Sequence, residues 1–166
     1  TGENEQGRDD ARKVAEQLGI ELICADVSAE FGEKVIGNFC SEYLCGRTPN
    51  PCVVCNPNIK FKKLIETADS IGAYYIATGH YANIKDGQLV RAKDQNKDQT
   101  YFLSQLTQAQ LSKTLFPVGE LQKSEVREIA EKMELATAKK KDSTGVCFIG
   151  ERNFTQFLQN YLPAQP

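Results

Sequence analysis

Cys52 and Cys55 follow a proline-bracketed stretch, Pro49-Asn50-Pro51, and Cys147 stands among glycines in Lys141-Asp142-Ser143-Thr144-Gly145-Val146-Cys147-Phe148-Ile149-Gly150. A Cys-x-x-Cys pair can bring two sulfurs close enough for a disulfide or for shared metal ligation. The prolines stiffen the approach, so the sulfurs have a fixed place from which to act. Two glycines around Cys147 suit a flexible loop that presents a thiol, and the neighbouring lysines favour the reactive thiolate. The alternative for all three is packing as small hydrophobic side chains. Cys40 and Cys45 add two more sulfurs upstream, but the spacing of Cys40, Cys45, Cys52 and Cys55 matches no familiar structural zinc pattern.

Two further groups of residues have polar chemistry. Asn96-Lys97-Asp98-Gln99-Thr100-Tyr101-Phe102-Leu103 sets a cation, a carboxylate and an amide ahead of an aromatic pair. Such groups can contact phosphate, ribose or a splayed base, or can form a solvated turn before a helix. His80 is the single histidine, and its residue type alone assigns no role.

These residues need elements to hold them. Ala11, Val14, Ala15 and Leu18 recur at helical spacing, so residues 9–18 read as a helix stopped by Gly19. Ile20 to Val27 reads as a strand, and Ala29 to Leu44 as a second helix. Gly46 to Pro51 reads as a stiff irregular loop that delivers Cys52 and Cys55. Residues 58–71 read as a helix with Phe61, Leu64, Ile65, Ala68 and Ile71 on one face. Ala73 to Thr78 reads as a buried strand. Thr78-Gly79-His80 then falls at its carboxyl end, where open α/β sheets bind ligands. A turn at Asp86-Gly87 precedes a short strand at Leu89 to Ala92. After about Leu115 the pattern becomes helical, at 123–133 (Val126, Ile129, Ala130 and Met133 inward) and 153–162 (Phe154, Phe157, Leu158, Tyr161 and Leu162 inward), with Ala138 to Gly150 as a long loop between them.

The 166 residues suffice for one domain and a small appendage, and 40% hydrophobic with 25% charged residues is ordinary for a globular chain. No apolar stretch approaches the roughly 20 residues of a membrane helix. Thr1 to Asp10 is polar and acidic, not a secretory leader. Six cysteines in a chain of this kind point to a reducing cytoplasm rather than a disulfide scaffold. The net charge of −2 does not announce a nucleic-acid binder, but Lys60, Lys62 and Lys63, and Lys139, Lys140 and Lys141, form local basic runs.

With these motifs in place, the chain resembles the tRNA-specific 2-thiouridylase family. The matching words include Gly46-Arg47-Thr48-Pro49-Asn50-Pro51, Cys55-Asn56, Ala77-Thr78-Gly79-His80-Tyr81, Lys97-Asp98-Gln99 and Leu115-Phe116-Pro117-Val118-Gly119-Glu120-Leu121. They occur in the family's order, with Ala138 to Gly150 following. The resemblance implies an α/β fold: a partial adenine-nucleotide alpha-hydrolase-like (PP-loop) parallel sheet, then a small helical central domain. Residues 1–115 would be the later half of the N-terminal PP-loop domain, and 116–166 the central tRNA-binding domain. The phosphate-binding loop is expected before Thr1 and a β-barrel after Pro166.

The implied activity is ATP-dependent 2-thiolation of the wobble uridine of tRNA, with ATP and Mg2+, through adenylation and sulfur transfer from a cysteine persulfide. Cys147 matches the persulfide carrier, and Cys55 the partner thiol, with a disulfide as the spent state. Gly79 matches an ATP contact. Asn50, Pro51 and Cys52 match the stretch that meets the target base, and His80, Lys97, Asp98 and Gln99 match tRNA contacts. A sulfur-donor protein, a cysteine desulfurase or a sulfur relay protein, is the implied partner. One departure is Cys52, where many members have Asp. With Cys55 and Cys147 it makes three thiolates, the ligand set of a [4Fe–4S] cluster in related enzymes. Two other readings are a non-catalytic tRNA-binding piece and another PP-loop adenylating enzyme.

Overall fold

The computed structural model describes residues 2–141, 145–150 and 153–161. It divides into two compact units, residues 26–123 and residues 1–25 with 124–166.

The unit of residues 26–123 is α/β and holds most of the core. It opens with helix α2 (Ser28–Phe31), a wide π-helical stretch (Gly32–Ile36) and α3 (Gly37–Leu44). Val35 and Phe39 are almost fully buried there. After the break at 46–50 come α4 (Pro51–Cys55), a second π-helical stretch (Asn56–Phe61) and α5 (Lys62–Ser70). Strand β1 (Ile76–Ala77) pairs in parallel with β4 (Thr114–Leu115), Ile76 opposite Thr114. Strands β2 (Asn83–Lys85) and β3 (Gln88–Val90) form an antiparallel hairpin. Its turn residues Asp86 and Gly87 have φ of 51° and 74°, the left-handed pair that a two-residue hairpin needs. A 3-10 turn (Thr100–Leu103) and α6 (Gln108–Ser112) complete the unit. Thr107 and Gln110 form a reciprocal capping box at the start of α6. The core gathers around Phe61, Ala68, Ile76, Ala82, Leu103 and Leu111.

In the other unit, α1 (Gly2–Leu18) carries Gln17, whose amide serves the end of α7 (Lys123–Lys132). Gln17 Nε2 donates to the carbonyls of Met133 (3.1 Å) and Glu134 (3.0 Å), and its oxygen accepts from the Ala136 N–H (3.3 Å). Carbonyls left over beyond a helix's last turn are thereby satisfied. Glu134 takes the left-handed C′ position, φ 51°, and Leu135 N–H returns to Ala130 C=O at 3.0 Å. The last element is α8 (Phe154–Gln159), capped by Asn153 and buried through Phe157.

Several elements differ from the sequence expectation. Ile20 to Val27 forms no strand: Ile20, Leu22 and Ile23 stay exposed, because a strand requires a ladder partner and none pairs with it among the described residues. The expected strand 73–78 shortens to Ile76–Ala77 because only those residues pair with β4. The break after α3 ends one residue earlier than expected, since Pro51 is the first residue of α4, where its missing N–H costs nothing. Ile129, Met133, Phe154 and Tyr161 are exposed rather than inward, Leu64 and Ile71 of the apolar face over 58–71 are exposed too, and Leu162 lies outside the described residues.

One glycine is required by close approach. A Cβ on Gly119 would run into the Ala82 carbonyl and the Asn83 side chain. Asn83 Nδ2 donates to Gly119 C=O at 3.3 Å, and Lys93 N–H donates to the same carbonyl at 2.9 Å, so the segment cannot retreat without breaking both bonds. Gly119→Ala should therefore destabilise the fold by about 1–3 kcal/mol or more, the range for overpacking. Urea unfolding monitored by circular dichroism should show the midpoint falling with the slope unchanged.

Candidate functional site

Asn50 begins the site. Its extended backbone and its side-chain oxygen, which accepts from Cys52 N–H at 3.1 Å, make it the N-cap of α4. The approach to it is held by Arg47, whose guanidinium grips the Glu42 carboxylate (Nη2 to Oε1, 2.8 Å) and whose N–H bonds Glu42 C=O at 2.9 Å. Cys52 and Cys55 consequently sit on one helical turn and not on a loop, three residues apart and sharing a side of the helix. Cys55 is buried at 8% exposure, and Cys52 is half-buried.

Asn56 continues the same helix and is 2% exposed. Its Nδ2 donates to Phe102 C=O at 2.8 Å, 46 residues along the chain, while Oδ1 has no hydrogen-bond partner. A buried unsatisfied acceptor costs about 1–3 kcal/mol. Five residues on, Phe61 is fully buried and lies against His80 (ring centroids 5.7 Å) and Phe116 (6.4 Å).

The second motif is fastened just as firmly. Gln99 Oε1 accepts from Tyr81 N–H at 3.0 Å, and Gln99 N–H returns to Tyr81 C=O at 2.8 Å. Asp98 accepts from Ala92 N–H (2.8 Å), from Thr100 N–H (3.3 Å) and from the Thr100 hydroxyl. Burial alone would push the Asp98 carboxyl up; the Thr100 and Ala92 bonds outweigh it and hold its pKa below the usual value. The side chains of Asp98 and Gln99 are thus engaged in fixing the turn, and Lys97 is half-buried beside them.

A residue that motif reading missed does similar work. Asp94, 6% exposed, accepts from the N–H groups of Lys123 (2.9 Å) and Asn96 (3.0 Å). The Lys123 bond is the foremost cause of its lowered pKa. The Asp-x-Asn pattern signals a local turn, but its bond to Lys123, 29 residues away, has no local signal.

Gly79 lies just past β1, exposed, with nothing within 4 Å of where a Cβ would stand. The backbone at this strand end is therefore open to close approach. His80 Nδ1 shares a hydrogen bond with the Thr78 hydroxyl at 3.0 Å.

Asn50, Pro51, Cys52, Cys55, Gly79, His80, Lys97, Asp98 and Gln99 all belong to the unit of residues 26–123. Cys147 belongs to the other unit. It is exposed, in a turn between Gly145 (φ 78°) and Gly150 (φ 62°), with Ile149 buried beside it and Phe148 against Phe157 (5.6 Å). Lys140 in that unit pairs with Asp10 at 2.6 Å, so this lysine is partly neutralised. The expected disulfide is absent: none joins any of the six cysteines. Among the described residues no three of His, Cys, Asp and Glu are grouped to hold a metal ion, and no helix is long and apolar enough to cross a membrane.

A family model described as the tRNA methyl transferase HUP domain matches residues 2–151. A protein of Listeria monocytogenes (serotype 4b, strain CLIP80459), named tRNA-specific 2-thiouridylase MnmA, is 58% identical over 162 residues, covering 95% of this chain and 44% of its own length. Proteins of the same name from Bacillus licheniformis and Streptococcus sanguinis are 59% and 57% identical, again over 95% of this chain, and over 44% and 43% of theirs. The chain thus spans less than half the length of these relatives.

His80 makes a pH-dependent contribution that can be measured. Burial foremost, then the Lys60 charge, holds its pKa down to about 4. The folded ring stays neutral while the unfolded ring takes a proton near pH 6.5, so the unfolded state binds the extra proton. Stability from this group is fully present above pH 6.5 and is lost as pH falls towards 4. The loss is on the order of 2 kcal/mol once the partial exposure of the ring is discounted. The wild type should show that decline in urea titrations between pH 7 and pH 4.5, and His80→Phe should flatten it.

Proposed function

This chain belongs to the tRNA methyl transferase HUP domain family, and from that premise we propose that the protein containing it replaces the C2 oxygen of the wobble uridine of tRNA by sulfur. The names of its relatives support the reaction class. The observation that carries the reading to particular residues is the corner where the Cys55 turn, His80 and the 97–102 turn are joined, through Asn56 to Phe102, Phe61 to His80 and Gln99 to Tyr81. Residues 1–115 serve in this reading as the later half of the nucleotide-binding domain, and residues 116–166 as the tRNA-binding domain.

The uridine C2 oxygen attacks the α-phosphorus of ATP, pyrophosphate leaves, and C2 now bears a good leaving group. The open backbone at Gly79 fits close approach by the nucleotide, with Mg2+ as its counterion. Cys147, loaded as a persulfide by a cysteine desulfurase or a sulfur relay protein, delivers its terminal sulfur to C2 as AMP departs. Its exposed position fits that exchange. Cys55 attacks the Cys147 sulfur, the sulfur–sulfur bond breaks, and a Cys55–Cys147 disulfide remains for an external thiol reductant to reset. The target base must leave its stack to reach these sulfurs. Asn50, Pro51, Cys52 and His80 line its approach, and Lys97, Asp98 and Gln99 shape the turn that receives the tRNA.

In the complete protein, Cys55→Ser and Cys147→Ser should each lower thiolation roughly 10³-fold or more, as expected for loss of a nucleophile. Pyrophosphate release in the presence of tRNA should persist. Full thiolation by either variant sinks the assignment and favours a non-catalytic tRNA-binding piece or a different adenylating enzyme.

A second reading takes Cys52, Cys55 and Cys147 as ligands of a [4Fe–4S] cluster; among the described residues no three such side chains are grouped to hold a metal ion. Cys52→Ala separates the two routes. Iron content after anaerobic reconstitution and thiolation both fall if a cluster carries the sulfur, and both match the wild type if the two-cysteine route operates alone.

A further inference from the structure

The pairing of a half-satisfied amide with the buried Cys55 has a consequence for how that thiol is held. Asn56 is the residue after Cys55, and it is also where the helix changes from α4 into a π-helical stretch. A π turn interrupts the α ladder, and such turns concentrate at functional sites. The α bonding of α4 reaches Asn56, whose N–H bonds Cys52 C=O, and the wider π bonding takes over from there. The N-terminal end of α4 is set by Asn50 and Pro51. At its C-terminal end two side-chain bonds tie it across the fold: Asn56 Nδ2 to Phe102 C=O, 2.8 Å, and, one residue further, Gln110 Nε2 to Pro57 C=O, 2.8 Å. The other half of the Asn56 amide, Oδ1, is buried without a partner. Hydrogen bonding is thus satisfied on the side that reaches across the fold and forgone on the other.

We propose that Asn56 is a positioning residue for Cys55: its amide, bonded to the Phe102 carbonyl, fixes the rotation of the cysteine-bearing turn and keeps the thiol covered until substrate binds. This rests on the reading of Cys55 as the partner thiol. It adds that the cover depends on the side-chain hydrogen bond to the 3-10 turn that follows Lys97-Asp98-Gln99, the tie nearest Cys55 in sequence. Movement of that turn on tRNA binding would carry the Phe102 carbonyl with it and release the thiol.

The test is cysteine footprinting of the complete protein with iodoacetamide, read residue by residue by mass spectrometry, with exposed Cys24 and Cys45 as internal references. Asn56→Asp keeps the shape of the side chain but, ionised at the labelling pH, cannot donate to Phe102. Asn56→Ala removes the side chain. Both should raise the Cys55 rate at least tenfold relative to Cys24 and Cys45 and leave the reference rates unchanged. Both should also lower kcat for thiolation more than they raise KM. A Cys55 ratio within twofold of the wild type in Asn56→Asp overturns the proposal. A parallel rise at every cysteine also overturns it, since that reports a purely structural role. Failure of the underlying assignment looks different: Cys55→Ser would then thiolate normally, whatever the footprint of the Asn56 variants.

Discussion

Phe61 is fully buried, and the site is arranged around that burial. Covering a phenylalanine side chain contributes about 1.5–3 kcal/mol, which sets the rotational phase of the helix that carries it. Five residues earlier in the same helix is Asn56, also buried, and the π-helical stretch Asn56–Phe61 is what lets residues five apart face the same way. The ring of Phe61 then meets His80 and Phe116, which come from the ends of β1 and β4. One apolar contact therefore fixes the helix of Cys52 and Cys55 relative to the strand ends.

Polar bonds refine what the apolar contact places. Asn56 reaches Phe102, Gln99 closes on Tyr81, Asp98 gathers Ala92 and Thr100, and Asp94 holds Lys123. Each spans a loop whose backbone groups would otherwise go unpaired in a partly buried setting. Several residues with the look of substrate contacts thus have their side chains committed to shaping the turns that carry them. Gly119 belongs to the same economy, because the segment carrying it runs too close to Ala82 and Asn83 for any side chain.

The two thiols of the proposed sulfur transfer belong to different units. Cys55 is buried on a short helix with both ends fixed, whereas Cys147 is exposed in a turn between left-handed glycines. A thiol that accepts sulfur from another protein must be reachable, and a thiol that acts once per turnover benefits from cover against oxidation. The contrast in exposure suits the two proposed roles.

Much was legible in the chain alone. The amphipathic periods placed the helices and Asp86-Gly87 marked its hairpin turn, because these signals are local. The glycines around Cys147 signalled an exposed turn for the same reason. What only the tertiary structure decided depended on partners distant in sequence. Ile20 to Val27 has strand composition but no ladder among the described residues, and strand formation is a property of a pair. The start of α4 at Pro51 turned on whether Asn50 would cap a helix or continue a loop, and the Arg47–Glu42 clasp and the burial of Pro51 settled it. The committed roles of Asp98, Gln99, Asp94 and Asn56 were illegible because an amide or carboxylate states what it can bond, and only the fold brings the carbonyl or N–H that it does bond.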